Sequence, residues 1–342
     1  MSAIDQQLEP PTSSVIDIKS ILTPIQADMR KLDEVIEQSL RSDVALINQI
    51  SQYLIQAGGK RIRPALTFLI AGAIREPSEV QHRHEIAAVV EFIHTATLLH
   101  DDVVDDSDLR RGRKTANAVF GNSASVLVGD FLYSRAFQMM VVPGQLKIME
   151  ILSTATNIIA EGEVLQLLNL NDPDVTEDRY RQVIMYKTAK LFEAATQLGA
   201  VLAKGTEGQY AAAAQFGSSL GIAFQIMDDW LDYASDAETM GKNAGDDLRE
   251  GKPTLPLIYL LHHGNAQQKK LVQQAIEQSD ELSEDFYQTV LNEVRNSSAL
   301  AYTLEQAKME AEKAKSCLSA FEDNAFTASL RALCDYSIAR SF

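Results

Sequence analysis

The chain has 342 residues, 46% of them hydrophobic, which supplies a sizeable core and excludes a disordered tail. Thirty-one basic against 47 acidic residues leave a formal charge of −16, which excludes a nucleic-acid surface built on bulk charge and leaves room for local basic pockets. With Cys317 and Cys334 as its two cysteines, the chain has no disulfide framework, and a reducing compartment is implied.

Residues 1–15, with Gln6, Gln7, Pro10, Pro11, Ser13 and Ser14, read as a mobile leader and lack the basic-then-apolar pattern of a signal peptide. No apolar run approaches the roughly 20 residues that cross a bilayer, so stable membrane insertion is not expected and a cytoplasmic location is. From there on Gly (17) and Pro (9) are sparse, so turns are infrequent and the elements between them are long. Apolar residues recur at spacings of three and four, as in Leu46, Ile47, Ile50, Tyr53 and Leu54, the stripe of an amphipathic helix. The same period predicts helices over roughly 64–74, 83–105, 117–140, 145–169, 177–203, 208–233, 254–262, 267–279, 284–296 and 299–319. No stretch alternates with period two. Helices such as 208–233, with Ala211 to Ala214, are apolar on more than one side and belong at the centre of a bundle. The expected fold is all-α, with residues 16–342 forming a single domain of about a dozen helices around a central apolar cavity.

Asp101-Asp102-Val103-Val104-Asp105 lies in a helical, otherwise apolar run. Asp101 and Asp105, at i and i+4, share a face, and their repulsion grows in a dry site until a hard cation relieves it. Asp228-Asp229-Trp230-Leu231-Asp232 repeats the spacing at the end of another apolar helix. Either cluster alone reads as a solvated helix end. Two copies facing each other across a cavity would offer six carboxylates. Mg2+ takes one or two carboxylates per ion and fills its octahedron with water and substrate phosphates, so the pattern suits several Mg2+ ions on a polyphosphate. No EF-hand spacing is present, which weakens a Ca2+ reading.

A polyphosphate also needs cationic side chains. They occur in short bursts beside glycines or the aspartates: Gly58-Gly59-Lys60-Arg61-Ile62-Arg63-Pro64, Arg110-Arg111-Gly112-Arg113-Lys114, Lys187-Thr188, Lys242 and Gly251-Lys252-Pro253-Thr254. Arg supplies planar forks to phosphate and Lys supplies point charges. The Gly-Gly-Lys turn lacks the spacing and strand of a Walker loop. Taken singly, each burst reads equally as a basic surface loop.

Gly58 to Pro64, Asp101 to Asp105 with Arg110-Arg111-Gly112, Lys187-Thr188, Gln225 with Asp228 to Asp232, and Gly251 to Thr254 together resemble the ordered motif set of trans-type polyprenyl diphosphate synthases. The likeness runs from about residue 40 to the C-terminus and is strongest to the long-chain branch, that of octaprenyl and solanesyl diphosphate synthases. The resemblance implies ionisation of an allylic diphosphate (farnesyl diphosphate as primer) and addition of isopentenyl diphosphate, with about three Mg2+ ions per site. Under it Asp101, Asp105 and Asp228 hold Mg2+ against the allylic diphosphate, while Asp102, Asp229 and Asp232 complete or orient those shells. Arg110, Lys187 and Lys252 bind the same diphosphate, and Lys242 is a further candidate substrate-binding cation; Lys60, Arg63, His94 and Arg111 bind isopentenyl diphosphate; Thr188 and Gln225 lie along the nascent cation. Helical spacing adds that His94 lies two turns below Asp101 on one stripe and that Gln225 shares a face with Asp229 and Asp232. Without the resemblance, His94 reads as a core histidine and Thr188 as a residue bonding its own backbone.

The small Ala96 and Thr97 below the first cluster leave the tunnel floor open, which favours a product of about C40–C45 stopped deeper by Phe131, Phe137 or Met140. Each of those three reads equally as core packing. The 117–140 helix mixes small residues (Ala118, Ser123, Ala124, Ser125, Gly129) with large ones (Phe120, Phe131, Tyr133, Phe137) and can pack against a partner subunit; the resemblance implies a homodimer, and a product destined for a quinone side chain. Competing readings are a shorter-chain (C15–C20) synthase, a class I terpene cyclase or head-to-head synthase, and an acidic helical scaffold that binds divalent metal without turnover.

Overall fold

The computed structural model describes residues 17–110, 112–234 and 245–340; the leader, Arg111 and Lys242 lie outside them. The order is α1 (Ile18–Ile21), α2 (Gln26–Ser39), α3 (Ala45–Ala57), α4 (Ile62–Ile74), α5 (Arg83–Val104), strands β1 (Leu109–Arg110) and β2 (Arg113–Lys114), α6 (Ala116–Phe120), α7 (Asn122–Val141), α8 (Leu146–Asn169), α9 (Glu177–Ile184), a π turn (Met185–Ala189), α10 (Lys190–Leu202), α11 (Glu207–Ala234), α12 (Asp246–Arg249), α13 (Leu255–His263), α14 (Ala266–Glu277), α15 (Glu284–Arg295), α16 (Ala299–Cys317) and α17 (Ala325–Ala339). The fold is all-α, and β1 and β2 form a two-residue antiparallel hairpin that period-two reasoning cannot see. Among the described residues no helix is long and apolar enough to cross a membrane.

The most apolar helices lie at the centre, as expected. α11 packs against α10 and α16, and α5 against α7. Glycine permits the α10–α11 approach: a Cβ on Gly217 would meet the Phe192 carbonyl oxygen at 2.6 Å, and one on Gly221 would meet the Ala189 Cα at 2.6 Å. Such contacts leave no room for any side chain.

Beyond the four-residue helices α1 and α12, which have no counterpart in the periodicity reading, four elements depart from it. The 117–140 helix divides at Gly121, whose φ of +86° breaks α6 from α7 where only glycine sits without strain. The 177–203 helix is interrupted by the π turn at 185–189. α2 and α17 are helices that the apolar period misses. α2 is mostly polar, with Asp28, Leu32 and Ile36 buried. α17 is announced by a capping box instead: the Asn324 side chain accepts from the Phe326 and Thr327 N–H groups, and Thr327 Oγ1 accepts from the Asn324 N–H.

Candidate active site

α5 ends at Asp105 and α11 ends at Ala234, so both aspartate clusters sit at the C-terminal ends of buried helices. The negative pole of the helix dipole disfavours carboxylates there, and neither helix has a basic residue in its last turn. All six aspartates border one cavity of about 1080 Å³, above the size of ordinary small-ligand pockets. Below the carboxylates its wall turns apolar, with Leu98, Leu99, Leu132 and Ile159.

The six carboxylates are not equivalent. Asp101 and Asp105 meet ammonium groups at the cavity: Lys187 Nζ lies 3.7 Å from Asp101 Oδ2, and Lys252 Nζ donates to Asp105 Oδ2 at 3.0 Å. Asp102 is buried and takes both Nε and Nη2 of Arg110 on its Oδ1, at 2.9 and 2.6 Å, so it aims that guanidinium. In the second cluster Asp228 pairs with Arg340, Nη2 to Oδ1 at 2.6 Å. Asp229 accepts from Tyr180 Oη at 2.6 Å and from Gln225 Nε2 at 2.8 Å. The Asp232 oxygens accept the backbone N–H groups of Asp246 and Asp247. Asp102, Asp229 and Asp232, expected to complete or orient the metal shells, thus have oxygens hydrogen-bonded within the protein, because their positions on the helices turn them into the surrounding structure.

Burial disfavours the ionised form of the carboxyls in this cleft. The Asp101 carboxyl is pushed up by burial and by Asp105, against the pull of Lys187, Arg110 and Lys252. Asp229 and Asp232 are pushed well above the carboxylate range by burial and then by Asp247. Burial, with Asp101 and Asp105, raises Glu163 on α8 to about 7 even though Lys187 opposes the shift. Burial works against the Lys252 ammonium, yet Asp247, Glu250 and Asp105 together hold it firmly protonated.

An all-oxygen donor set with raised carboxyl pKa values fits a hard divalent cation. Among the described residues no three metal-ligating side chains converge on one point. An ion here would draw on one or two carboxylates and complete its shell from water and ligand oxygens, the habit of Mg2+.

The π turn delivers Lys187 and Thr188. Its extra residue widens the helix beside α8, where a Cβ on Gly162 would stand 2.7 Å from the Lys187 nitrogen. Thr188 Oγ1 donates to Gln225 Oε1 at 2.8 Å, so a chain of bonds runs Thr188–Gln225–Asp229–Tyr180 along the wall; the threonine does not bond its own backbone. Across the cavity Arg63, on the first turn of α4, lies against His94, Nη1 to Nε2 3.1 Å, and over the Phe192 ring. Lys60 faces the Tyr336 ring at 5.3 Å.

The chain-length candidates separate. Thr97 lines the cavity, whereas Ala96 is fully buried in the core behind it. Leu132 presents the wall of α7, and Phe131, Phe137 and Met140 do not line it. Phe137 is 44% exposed, one residue off the buried stripe that carries Leu132 and Ala136. Phe131 is half-buried beneath the Arg135 guanidinium. Met140 is buried two turns further along the Leu132 stripe.

Sequence reasoning missed Arg340, Tyr180, Glu163 and the carboxylates Asp247 and Glu250. Arg340 caps α17, which carried no periodic signal. Glu163 had one: a Gly-Glu pair inside an apolar helix.

The sequence pattern described as polyprenyl synthetase matches residues 44–294. Octaprenyl diphosphate synthase of Escherichia coli (strain K12) is 50% identical over 313 residues, covering 92% of this chain and 96% of that protein. The all-trans-nonaprenyl-diphosphate synthase (geranyl-diphosphate specific) of Rhodobacter capsulatus is 44% identical, covering 92% and 96%. A solved polyprenyl synthase of Caulobacter crescentus CB15, complexed with calcium and isoprenyl diphosphate, superposes with a TM-score of 0.91 at 42% identity, over 95% of this chain and 98% of that one.

Proposed function

We propose, from the premise that this chain belongs to the polyprenyl synthetase family, that it condenses isopentenyl diphosphate head-to-tail onto an allylic diphosphate. It is a transferase that makes a long-chain all-trans polyprenyl diphosphate. The observation that carries this reading is the pair of acidic helix ends, backed by Arg110, Lys187 and Lys252, over a cavity that turns apolar below them.

In this reading Asp101, Asp105 and Asp228 hold divalent metal, and Asp102 acts by fixing Arg110. Mg2+, at three ions per site, would neutralise charge that develops on the departing diphosphate. Arg110, Lys187 and Lys252 grip that diphosphate from the protein side. Lys60, Arg63 and His94, on the opposite wall, take the diphosphate of isopentenyl diphosphate. Thr188 and Gln225 turn oxygens toward the allylic carbon that loses its leaving group, and the apolar wall excludes water from the cation formed there. The released diphosphate takes the proton that restores the double bond. Farnesyl diphosphate is the proposed primer. Eight or nine isoprene units are the proposed product length, in line with the octaprenyl and nonaprenyl names of the relatives, with Leu132 and then Met140 along the path of growth. A quinone side chain is the proposed destination.

The helical unit from residue 16 onward would act as one domain, in the cytoplasm and as a homodimer. Leu127, Val141, Val164, Leu167 and Leu168 on α7 and α8 are all more than half exposed, an apolar face suited to burial against a second copy. Release of inorganic diphosphate tests the proposal. It is expected only when Mg2+, farnesyl diphosphate and isopentenyl diphosphate are all present. Release from farnesyl diphosphate alone would favour a cyclase, and none under any combination would favour a metal-binding scaffold.

A further inference from the structure

We propose that Glu163 is a positioning residue of the reaction, acting through Lys187, whose ammonium it draws away from Asp101 and holds ready for the allylic diphosphate. This rests on the reading of Lys187 as a ligand of that diphosphate. Lys187 Nζ donates to Glu163 Oε2 at 2.6 Å, while Asp101 Oδ2 lies 3.7 Å away. The ammonium thus sits between two carboxylates and is bonded to the one outside both aspartate clusters. A lysine carries its charge on a flexible four-carbon stem, so where that charge rests is decided by its acceptors. With Glu163 absent, Asp101 becomes the nearest carboxylate, and an ion pair there would occupy an oxygen needed for metal.

The backbone makes the pairing durable. Gly162 and Glu163 are neighbours on α8, and Gly162 brings α8 against the Lys187 nitrogen, closer than any other residue would permit. Main chain and side chain of Lys187 are therefore both seated on one turn of α8. Glu163 Oε1 is buried and has no hydrogen-bond partner in the described structure, although its carboxyl borders the cavity. A buried oxygen left unsatisfied lowers stability, which argues against a purely architectural role.

The test is a double-mutant cycle in the full-length protein, assayed with Mg2+, farnesyl diphosphate and isopentenyl diphosphate. Glu163→Ala is expected to lower kcat/KM for the allylic substrate by about 10-fold or more, with KM for isopentenyl diphosphate changed by less than about 2-fold. Glu163→Gln, which keeps an acceptor oxygen, is expected to recover most of that loss. Glu163→Ala added to Lys187→Ala should cost nothing further, since the residue acts through a side chain no longer present. Thermal unfolding of each variant establishes that it is folded. Additive losses beside an impaired Lys187→Ala would overturn the inference and leave the role of Lys187 standing. A Lys187→Ala enzyme at wild-type turnover would remove that role and the inference with it.

Discussion

The two aspartate clusters share one spacing and are put to different uses. On α5 the helix stops at Asp105, so Asp101 and Asp105 overhang the cavity and meet the ammonium groups of Lys187 and Lys252. On α11 packing on both sides engages Asp229 with Tyr180 and Gln225 and Asp232 with the Asp246 and Asp247 N–H groups. Asp228 faces a side-chain cation, Arg340, and among the described residues is the one aspartate of that cluster in an ion pair. A motif fixes which faces carry charge; the termination of the helix and its neighbours decide which charges are left for a ligand.

The largest test of this contrast is removal of an available carboxylate. Asp101→Ala and Asp228→Ala should each lower incorporation of labelled isopentenyl diphosphate by about 10²–10³-fold, the size of losing one preorganised electrostatic contact. An engaged carboxylate should behave otherwise. Asp229→Asn should leave incorporation within about 10-fold but lower unfolding stability by about 1–3 kcal/mol in denaturant melts, because one of the two donors from Tyr180 and Gln225 loses its acceptor. Equal losses of turnover at Asp101 and Asp229 would erase the distinction.

A smaller effect comes from pH. Glu163 is raised from 4.5 to about 7 by burial and by Asp101, so the folded protein favours its protonated form. The stability this gives is whole below about 4.5 and is lost as pH rises through about 7. The metal-free protein should therefore melt a few degrees lower at pH 8 than at pH 5.5, and Glu163→Gln should flatten the slope. A Tm that climbs across this window would contradict the assignment. Smallest is Arg340→Ala, which leaves Asp228 without its counter-charge at a half-exposed position. A loss of about 1 kcal/mol in denaturant unfolding is expected, and a smaller one when Asp228 is already Asn, because the Arg340 bonds to the Phe224 and Ser337 carbonyls are lost in either background.

Much of this was legible from residue order. Long helices and both clusters followed from period and spacing, because burial in a bundle leaves its stripe on the sequence. Gln225 on the face of Asp229 was legible for the same reason, and the two side chains do bond. What was not legible depends on chain segments far apart in sequence. Arg340 reaches Asp228 across 112 residues through a helix that its cap announces better than its period does. The π turn under Lys187 depends on the fit of α8 against it, since Met185 to Ala189 alone read as ordinary helix. The placement of Phe137 was not legible either, because a one-residue step on a helix turns a side chain by about 100°, from the buried stripe to the surface.

Sizing the product tests the central claim most directly. Purified protein, Mg2+, farnesyl diphosphate and labelled isopentenyl diphosphate are incubated, and the extracted prenols are separated by length. A discrete product of eight or nine isoprene units, lost in Asp101→Ala and on chelation, is the expected result. A product that stops at three or four units would contradict the long apolar path, and no incorporation from any primer would contradict the reaction itself.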